Sequence, residues 1–220
     1  MNTVAKYIVS KTYKPWLAKH LSRHRKYSYD GIHLDVMPGV FHPGYFHSTQ
    51  FLLKFIRKQQ LEGKTFLELG AGSGLIAIYA AKKGALVTAT DISPIAVDCL
   101  QANRYMNDVS MTILLADLFD SIPKQKFDQI GINPPYYKKK PLTWHDYAWY
   151  CGENGEYFEK LFSTLPEYMH KHSIVNMVLC EKCDINMIAK KAANNGMTMT
   201  LLAEKKNWLE KNQIYNLTLA

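Results

Sequence analysis

The chain has 220 residues, 47% apolar and 21% charged, which is enough length for a full core and a globular rather than disordered composition. No apolar run approaches the ~18 residues of a membrane span, and no apolar h-region opens the sequence, which argues against a secretory signal. With only four cysteines, too few for a disulfide scaffold, and a net charge of +8, we expect a cytoplasmic monomer with reduced thiols that makes no membrane contact.

That charge is unevenly spread. Residues 1–29 hold Lys6, Lys11, Lys14, Lys19, Arg23, Arg25 and Lys26 and no acid, a local +7, while the remaining 20 basic and 19 acidic groups add +1. Tyr7, Tyr13, Trp16, Tyr27 and Tyr29 are interleaved with these cations, as an RNA or ribosome contact would use them. A solvated or partly packed extension explains the same residues without RNA. A mitochondrial leader fits poorly, because the stretch is rich in lysine and tyrosine rather than arginine and serine.

A helix is expected over 12–25, with Pro15 tolerated in its first turn. Ile32–Val36 alternates like a half-buried strand. Ser48 then opens an amphipathic helix running to about Gln60. From Lys64 the pattern becomes regular. Thr65–Leu69 reads as a strand, followed by Gly70-Ala71-Gly72-Ser73-Gly74 and an apolar helix that Gly84 ends. Ala85–Thr90 is a second strand, and Ser93-Pro94 caps a helix to about Met106. Met111–Leu115 and Phe127–Ile132 follow as strands, the latter stopped by Pro134-Pro135. A loop over 136–151, rich in Lys, Trp and Tyr, leads to a helix from about Glu153 that Pro166 bends or ends. Ile174–Leu179 is a fifth strand, and Asp184 caps a helix closed by Gly196. Met197–Ala203 and Gln213–Leu219 complete the set.

Strands alternating with helices imply an α/β fold, a doubly wound and mostly parallel sheet of seven strands. The last two strands have no helix between them and form an antiparallel hairpin at one edge. Ligands of such sheets bind at the carboxyl ends of the strands, where the winding reverses. If the first and fourth of these strands are neighbours there, the glycine loop faces Asn133-Pro134-Pro135-Tyr136.

The glycine spacing departs from the dinucleotide fingerprint, and Glu68 before the turn disfavours an anionic pyrophosphate, which argues against a nicotinamide-dependent oxidoreductase. A carboxylate there suits a cationic ligand. Asp91 can accept from ribose hydroxyls, and Asp117 from an adenine amino group. Asn133 offers an amide oxygen, Pro134 a carbonyl and Tyr136 a ring, together a receptor for a flat group carrying N–H. Cys180-Glu181-Lys182-Cys183 has no partner pair at zinc-like spacing, so neither metal nor redox use is expected of it. His42 and His47 are expected at the pocket mouth or in solvent rather than on a metal. Trp144, Tyr147, Trp149 and Tyr150 suit either a substrate-closing loop or packing over the core.

Glu68–Gly74, Asp91, Asp117-Leu118-Phe119 and Asn133-Pro134-Pro135-Tyr136, in that order, resemble the class I S-adenosylmethionine-dependent methyltransferases, nearest the HemK/PrmC and "small-domain" branch. The resemblance covers roughly 36–220, a Rossmann-like domain, and leaves 1–35 as a basic N-terminal extension in place of the helical domain of HemK/PrmC. It implies S-adenosylmethionine as cofactor, its methionine part at Glu68, Gly70, Ala71 and Gly72, its ribose at Asp91 and Ile92, and its adenine at Asp117 and Leu118. It implies catalysis by Asn133, Pro134 and Tyr136, with Asn133 also beside the cofactor. The implied reaction methylates a planar nitrogen, with a protein glutamine of a release factor or ribosomal protein placed first. The missing helical domain and Lys138-Lys139-Lys140 raise an adenine N6 in RNA or DNA as the alternative. A non-catalytic RNA- or ribosome-binding protein would have no need of the Asn-Pro-Pro-Tyr motif.

Overall fold

The computed structural model describes residues 23–206 and 210–220. The helix expected over 12–25 lies almost wholly outside the described residues, and its last residue, Arg25, opens a strand instead. β1 (Arg25–Tyr29) and β2 (Ile32–Val36) form an antiparallel hairpin. Its turn is Asp30-Gly31, with φ of 52° and 73°, the mirror-image geometry that matches the twist of paired strands. An Asp-Gly pair between alternating residues is the sequence signal for it, here set among cations.

The chain continues as α1 (His47–Ile56), β3 (Thr65–Leu69), α2 (Leu75–Lys82), β4 (Leu86–Asp91), α3 (Pro94–Met106), β5 (Thr112–Leu115) and β6 (Phe127–Ile132). It ends with α4 (Glu156–Thr164), β7 (Met169–Cys180), α5 (Ile185–Asn194), β8 (Met197–Lys206) and β9 (Lys211–Leu219). The strand order is β5-β4-β3-β6-β7-β9-β8, so the seven-stranded sheet has the expected form. β3 to β7 are parallel, and β9 lies antiparallel between β7 and β8. The winding reverses at β3, whose neighbours are β4 and β6. One face carries the hairpin with α1, α2 and α3, and the other carries α4 and α5, each over its own apolar cluster.

Local chemistry sets the helix ends. Ser93 Oγ accepts from Ala96 N–H at 3.4 Å with Pro94 in the first turn of α3, and Asp184 Oδ1 accepts from Met187 N–H at 3.1 Å to start α5. Ser48 does not open α1. The helix begins one residue earlier, without a side-chain cap, and Ser48 is buried inside its first turn.

The hairpin is packed on the body. Ile32, Leu34 and Val36 are buried, so a limit drawn at residue 35 falls inside β2. Two asparagines one helical turn apart, Asn103 on α3 and Asn107 at its C-cap, dock its backbone. Asn107 accepts from His33 N–H (3.0 Å) and donates to His33 C=O (2.6 Å). Asn103 does the same for Asp35, at 2.8 and 3.3 Å, and also donates to Ser73 C=O at 2.9 Å. One buried amide thus joins β2, α3 and the glycine loop. Asn103→Ala would remove the acceptor of Asp35 N–H and the Asn103 donor to the Ser73 carbonyl, and we expect a loss of about 2–3 kcal/mol. Thermal unfolding should fall by roughly 5–10 °C, while the exposed Gln101→Ala should hardly move it.

Candidate active site

Leu69 and Ile132 are register partners, so β3 and β6 release Gly70 and Asn133 side by side at the edge of the sheet. There a cavity of about 590 Å³ opens, in the range of small-molecule sites. Glu68, Gly70, Ala71, Gly72, Asp91 and Ile92 line it from the β3–β4 side. Asp117 and Leu118 line it beyond β5, and Asn133, Pro134 and Tyr136 beyond β6. The structure thus brings all the sequence-predicted site residues to one cavity.

Each acid is tied to its surroundings in its own way. Glu68 is 4% exposed, and its Oε2 accepts from Ala77 N–H at 2.7 Å. Ala77 is in the first turn of α2, where Gly74 at the N-cap has no side chain to offer, so a strand carboxylate caps the helix. Burial, opposed by that hydrogen bond, pushes the Glu68 carboxyl up to about 8. Asp91 accepts from Gly72 N–H and Ser93 N–H, both at 2.9 Å, and its carboxyl is also raised, by burial first. Asp117 is half exposed, and one of its oxygens takes Lys160 Nζ at 2.7 Å, a cation shared with Asp120 at 2.8 Å. The next residue, Leu118, is buried with φ of 56°, a backbone that a leucine adopts only under tertiary constraint.

Gly74 is required on two counts, its φ of 87° and a Cβ that would lie 2.2 Å from Leu100 Cδ1. Gly70, with φ of 71°, has nothing within 4 Å of where a Cβ would stand, so the loop presents bare backbone to the cavity.

On the β6 side, Asn133 Nδ2 donates to Thr49 Oγ1 at 3.1 Å. This engages the amide's donor end and leaves Oδ1 as an acceptor at the cavity wall. Tyr136 packs edge-on against Tyr137, at 4.9 Å between rings, and lies against the apolar cluster that includes Cys180 and Cys183. Residues 137–152 fold over the cavity as a strap, bridged between Tyr137 and Tyr150 and between Lys139 and Gly152. Trp149 on this strap meets Phe41 at 5.3 Å and Phe46 at 4.8 Å, so the aromatic residues here both pack and line the cavity. Trp144 stays 51% exposed at the rim.

Thr49, Thr90, Tyr157 and Lys160 also line the cavity, and the sequence reading missed them. Thr49 and Lys160 sit on amphipathic helices as ordinary polar residues, and no local signal marks them. His42 is buried beside Tyr27 and Tyr45 with Gly44 N–H on its Nδ1 at 3.1 Å, and His47 is exposed; neither lines the cavity.

Residues 31–148 match the family model "Methyltransferase small domain". The chain belongs to this family. It is 34% identical over 155 residues to a candidate protein N5-glutamine methyltransferase of Methanocaldococcus jannaschii, covering 68% of this chain and 76% of that one. It is 27% identical to the ribosomal protein L11 methyltransferase of Thermotoga petrophila, covering 82% of this chain and 61% of the relative. In fold it is similar to the T. thermophilus 16S rRNA methyltransferase RsmC, solved with S-adenosylmethionine and guanosine (TM-score 0.66, 18% identity, 90% of this chain and 50% of that one). The E. cuniculi complex that methylates the eRF1 termination factor gives a TM-score of 0.64 at 19% identity, over 83% of this chain and 99% of that one.

The protein is therefore an S-adenosylmethionine-dependent methyltransferase, and its cavity fits that cofactor. The loop offers open backbone, two buried acids suit a cationic ligand, and the buried Thr90 hydroxyl at the cavity wall has no partner among the described residues. No helix among the described residues is long and apolar enough to cross a membrane.

The raised Glu68 carboxyl has a consequence for stability. The folded state holds this proton more tightly than the unfolded chain, whose carboxyl titrates near 4.5. Its contribution is complete below that value and is lost as pH rises toward about 8. Glu68→Gln keeps an acceptor for Ala77 and cannot ionise. Urea unfolding should show the variant gaining on the parent between pH 5 and pH 8, by up to about 4 kcal/mol. An equal pH slope in both proteins would refute the assignment.

Proposed function

We propose that this methyltransferase acts on a planar amide nitrogen, the side chain of a protein glutamine in a release factor or ribosomal protein. The observation that carries the reading is the Asn133–Thr49 hydrogen bond, which fixes which end of the Asn133 amide is free to meet a substrate N–H. The Asn133 oxygen and the Pro134 carbonyl then accept both hydrogens of an NH2 group and hold the nitrogen in one orientation. A planar amide is a poor nucleophile because its lone pair is delocalised, so positioning and charge stabilisation supply the catalysis rather than a strong base. The Tyr136 ring face favours positive charge developing on that nitrogen.

S-adenosylmethionine supplies an electrophilic methyl group when bound. Glu68 and Gly70 to Gly72 would hold its amino acid end, Asp91 and Ile92 its ribose, and Asp117 and Leu118 its adenine. A cation beside Glu68 offsets the burial that pushes that carboxyl up, so the acid and the ligand favour each other. Trp149, Phe41 and Phe46 keep water from the covered end of the cavity.

The arrangement of the lysines supports a protein rather than a nucleic acid. A phosphate track needs unpaired cations. Lys138 pairs with Asp184, Lys139 sits over the Tyr150 ring at 4.7 Å, and Lys160 bridges two aspartates. The adenine reading keeps one supporting feature, the exposed Trp144 at the rim, on which a base could stack.

Transfer from labelled S-adenosylmethionine into a cell lysate, followed by RNase, DNase or protease, separates the two. We expect only protease to release the label, and release by RNase or DNase would sink the glutamine reading. Asn133→Ala should abolish transfer while cofactor affinity stays within a fewfold. Thr49→Val, which removes the acceptor and keeps the shape, should lower kcat about tenfold without changing cofactor affinity. Thr49→Ser should restore it. A fully active Asn133→Ala enzyme would end this account of the site.

A further inference from the structure

Lys160 lines the cavity from α4, yet its partners lie on the loop that follows β5. Its Nζ donates to Asp117 Oδ2 at 2.7 Å and to Asp120 Oδ2 at 2.8 Å. Between these acids the chain is pinned to the core. Leu118 is buried with its φ of 56°, and the buried Phe119 stacks on Tyr168 at 4.6 Å between rings. One ammonium therefore ties both ends of a short, constrained turn, and it reaches that turn from the helix that follows the Asn-Pro-Pro-Tyr motif. Burial works against this charge, but the bonds to Asp117 and Asp120 outweigh it and hold the ammonium above its ordinary value.

We propose that Lys160 is a positioning residue that sets the base preference of the cofactor site, by occupying one Asp117 oxygen and leaving the other to meet the purine. The inference rests on the placing of adenine at Asp117 under the proposed function. A carboxylate offers only acceptors, so with Oδ2 on the ammonium it is Oδ1 that serves the base. That oxygen suits the exocyclic amino group of adenine and opposes an oxygen in the same place. The shared cation also keeps the Asp117 and Asp120 carboxylates from repelling each other across the turn, which would turn Asp117 away from the cavity.

An exposed ion pair contributes little to stability. Asp117 and Asp120 keep 48% and 60% of their side-chain surface in solvent, so removing Lys160 leaves two hydrated acids rather than buried charges. Its value lies in orientation. An Asp117→Asn variant exposes this, because an amide has two unlike ends. Lys160 can only donate, so it takes the amide oxygen and presents the NH2 end to the base. The preference then reverses, from a purine carrying an amino group to one carrying an oxygen.

Calorimetric titration of the full-length chain with S-adenosylhomocysteine and with S-inosylhomocysteine, which carries an oxygen in place of the amino group, reads the preference directly. The parent should bind the amino ligand about tenfold more tightly or better. Asp117→Asn should favour the oxo ligand about fivefold, and Lys160→Met added to it should erase that preference. Lys160→Met alone should bind S-adenosylhomocysteine about fivefold more weakly, the scale of ordering one side chain on binding, and Lys160→Arg should restore it. Every variant should unfold within a few degrees of the parent. An Asp117→Asn preference that is the same with and without Lys160→Met overturns the proposal. A Lys160→Met protein that loses thermal stability and no affinity overturns it too. If Asp117→Asn alters neither affinity, adenine does not lie at Asp117, and the placing itself fails together with this inference.

Discussion

The pairing of β3 with β6 is the constraint on which the site depends. Because Leu69 and Ile132 share a register position, the chain leaves the sheet at Gly70 and Asn133 next to one another. The glycine loop and its acids line the cavity from the β4–β5 side of this seam, and Asn133 to Tyr136 line it from the β6–β7 side. Gly131, one residue before the end of β6, keeps the seam thin. A Cβ there would meet Ile56 Cδ1 and Phe66 Cζ at 3.3 Å, so the missing side chain lets α1 lie close to the sheet. That closeness is what brings Thr49 to Asn133, across 84 residues of sequence.

The acids at the cavity are structural as well as chemical. Glu68 caps α2, and Asp91 bonds Gly72 on the glycine loop and Ser93 at the start of α3. Each carboxylate stands near the start of a helix, and backbone N–H groups, Ala77 for Glu68 and Gly72 and Ser93 for Asp91, offset part of the cost of its burial. The loop stays rigid without side chains of its own, because Asn103 from α3 holds its Ser73 carbonyl from behind. Preorganisation of this kind spares a bound ligand the work of ordering the loop.

Much of this was legible in the sequence, for physical reasons that can be named. The alternation of strands and helices, the paired glycines and the acids at strand ends are local patterns, and local patterns carry the fold. Ser93 and Asp184 cap the helices they were expected to cap. Ser48 does not cap, because the helix starts at His47, just after the extended Phe46, and Ser48 falls on its buried face. The contacts that stayed hidden join distant residues, such as Thr49 with Asn133 and Lys160 with Asp117. Nothing in the neighbourhood of a threonine in an amphipathic helix announces that an asparagine will arrive beside it. The hairpin was only half hidden, since Ile32–Val36 was expected as a strand and β1 was not. Its Asp30-Gly31 signal is local, but the cations around it suggested an extension rather than a packed element.

That hairpin also changes how the basic start of the chain bears on the site. Tyr27 in β1 packs edge-on against His42 at 5.5 Å, and its hydroxyl accepts from Gln50 Nε2 in α1 at 3.0 Å. The neighbouring Val40, Phe41 and Pro43 line the cavity, so β1 fastens to the body close to the cavity wall. The body that follows is nearly neutral, and most of the lysines near the cavity are held by acids or rings. A long-range positive field at this site would therefore come from residues before β2 rather than from the methyltransferase sheet. On the proposed reading, recognition of the reacting group falls to the Asn133 amide and the strap, while the cations around β1 favour an acidic surface on the molecule that carries it.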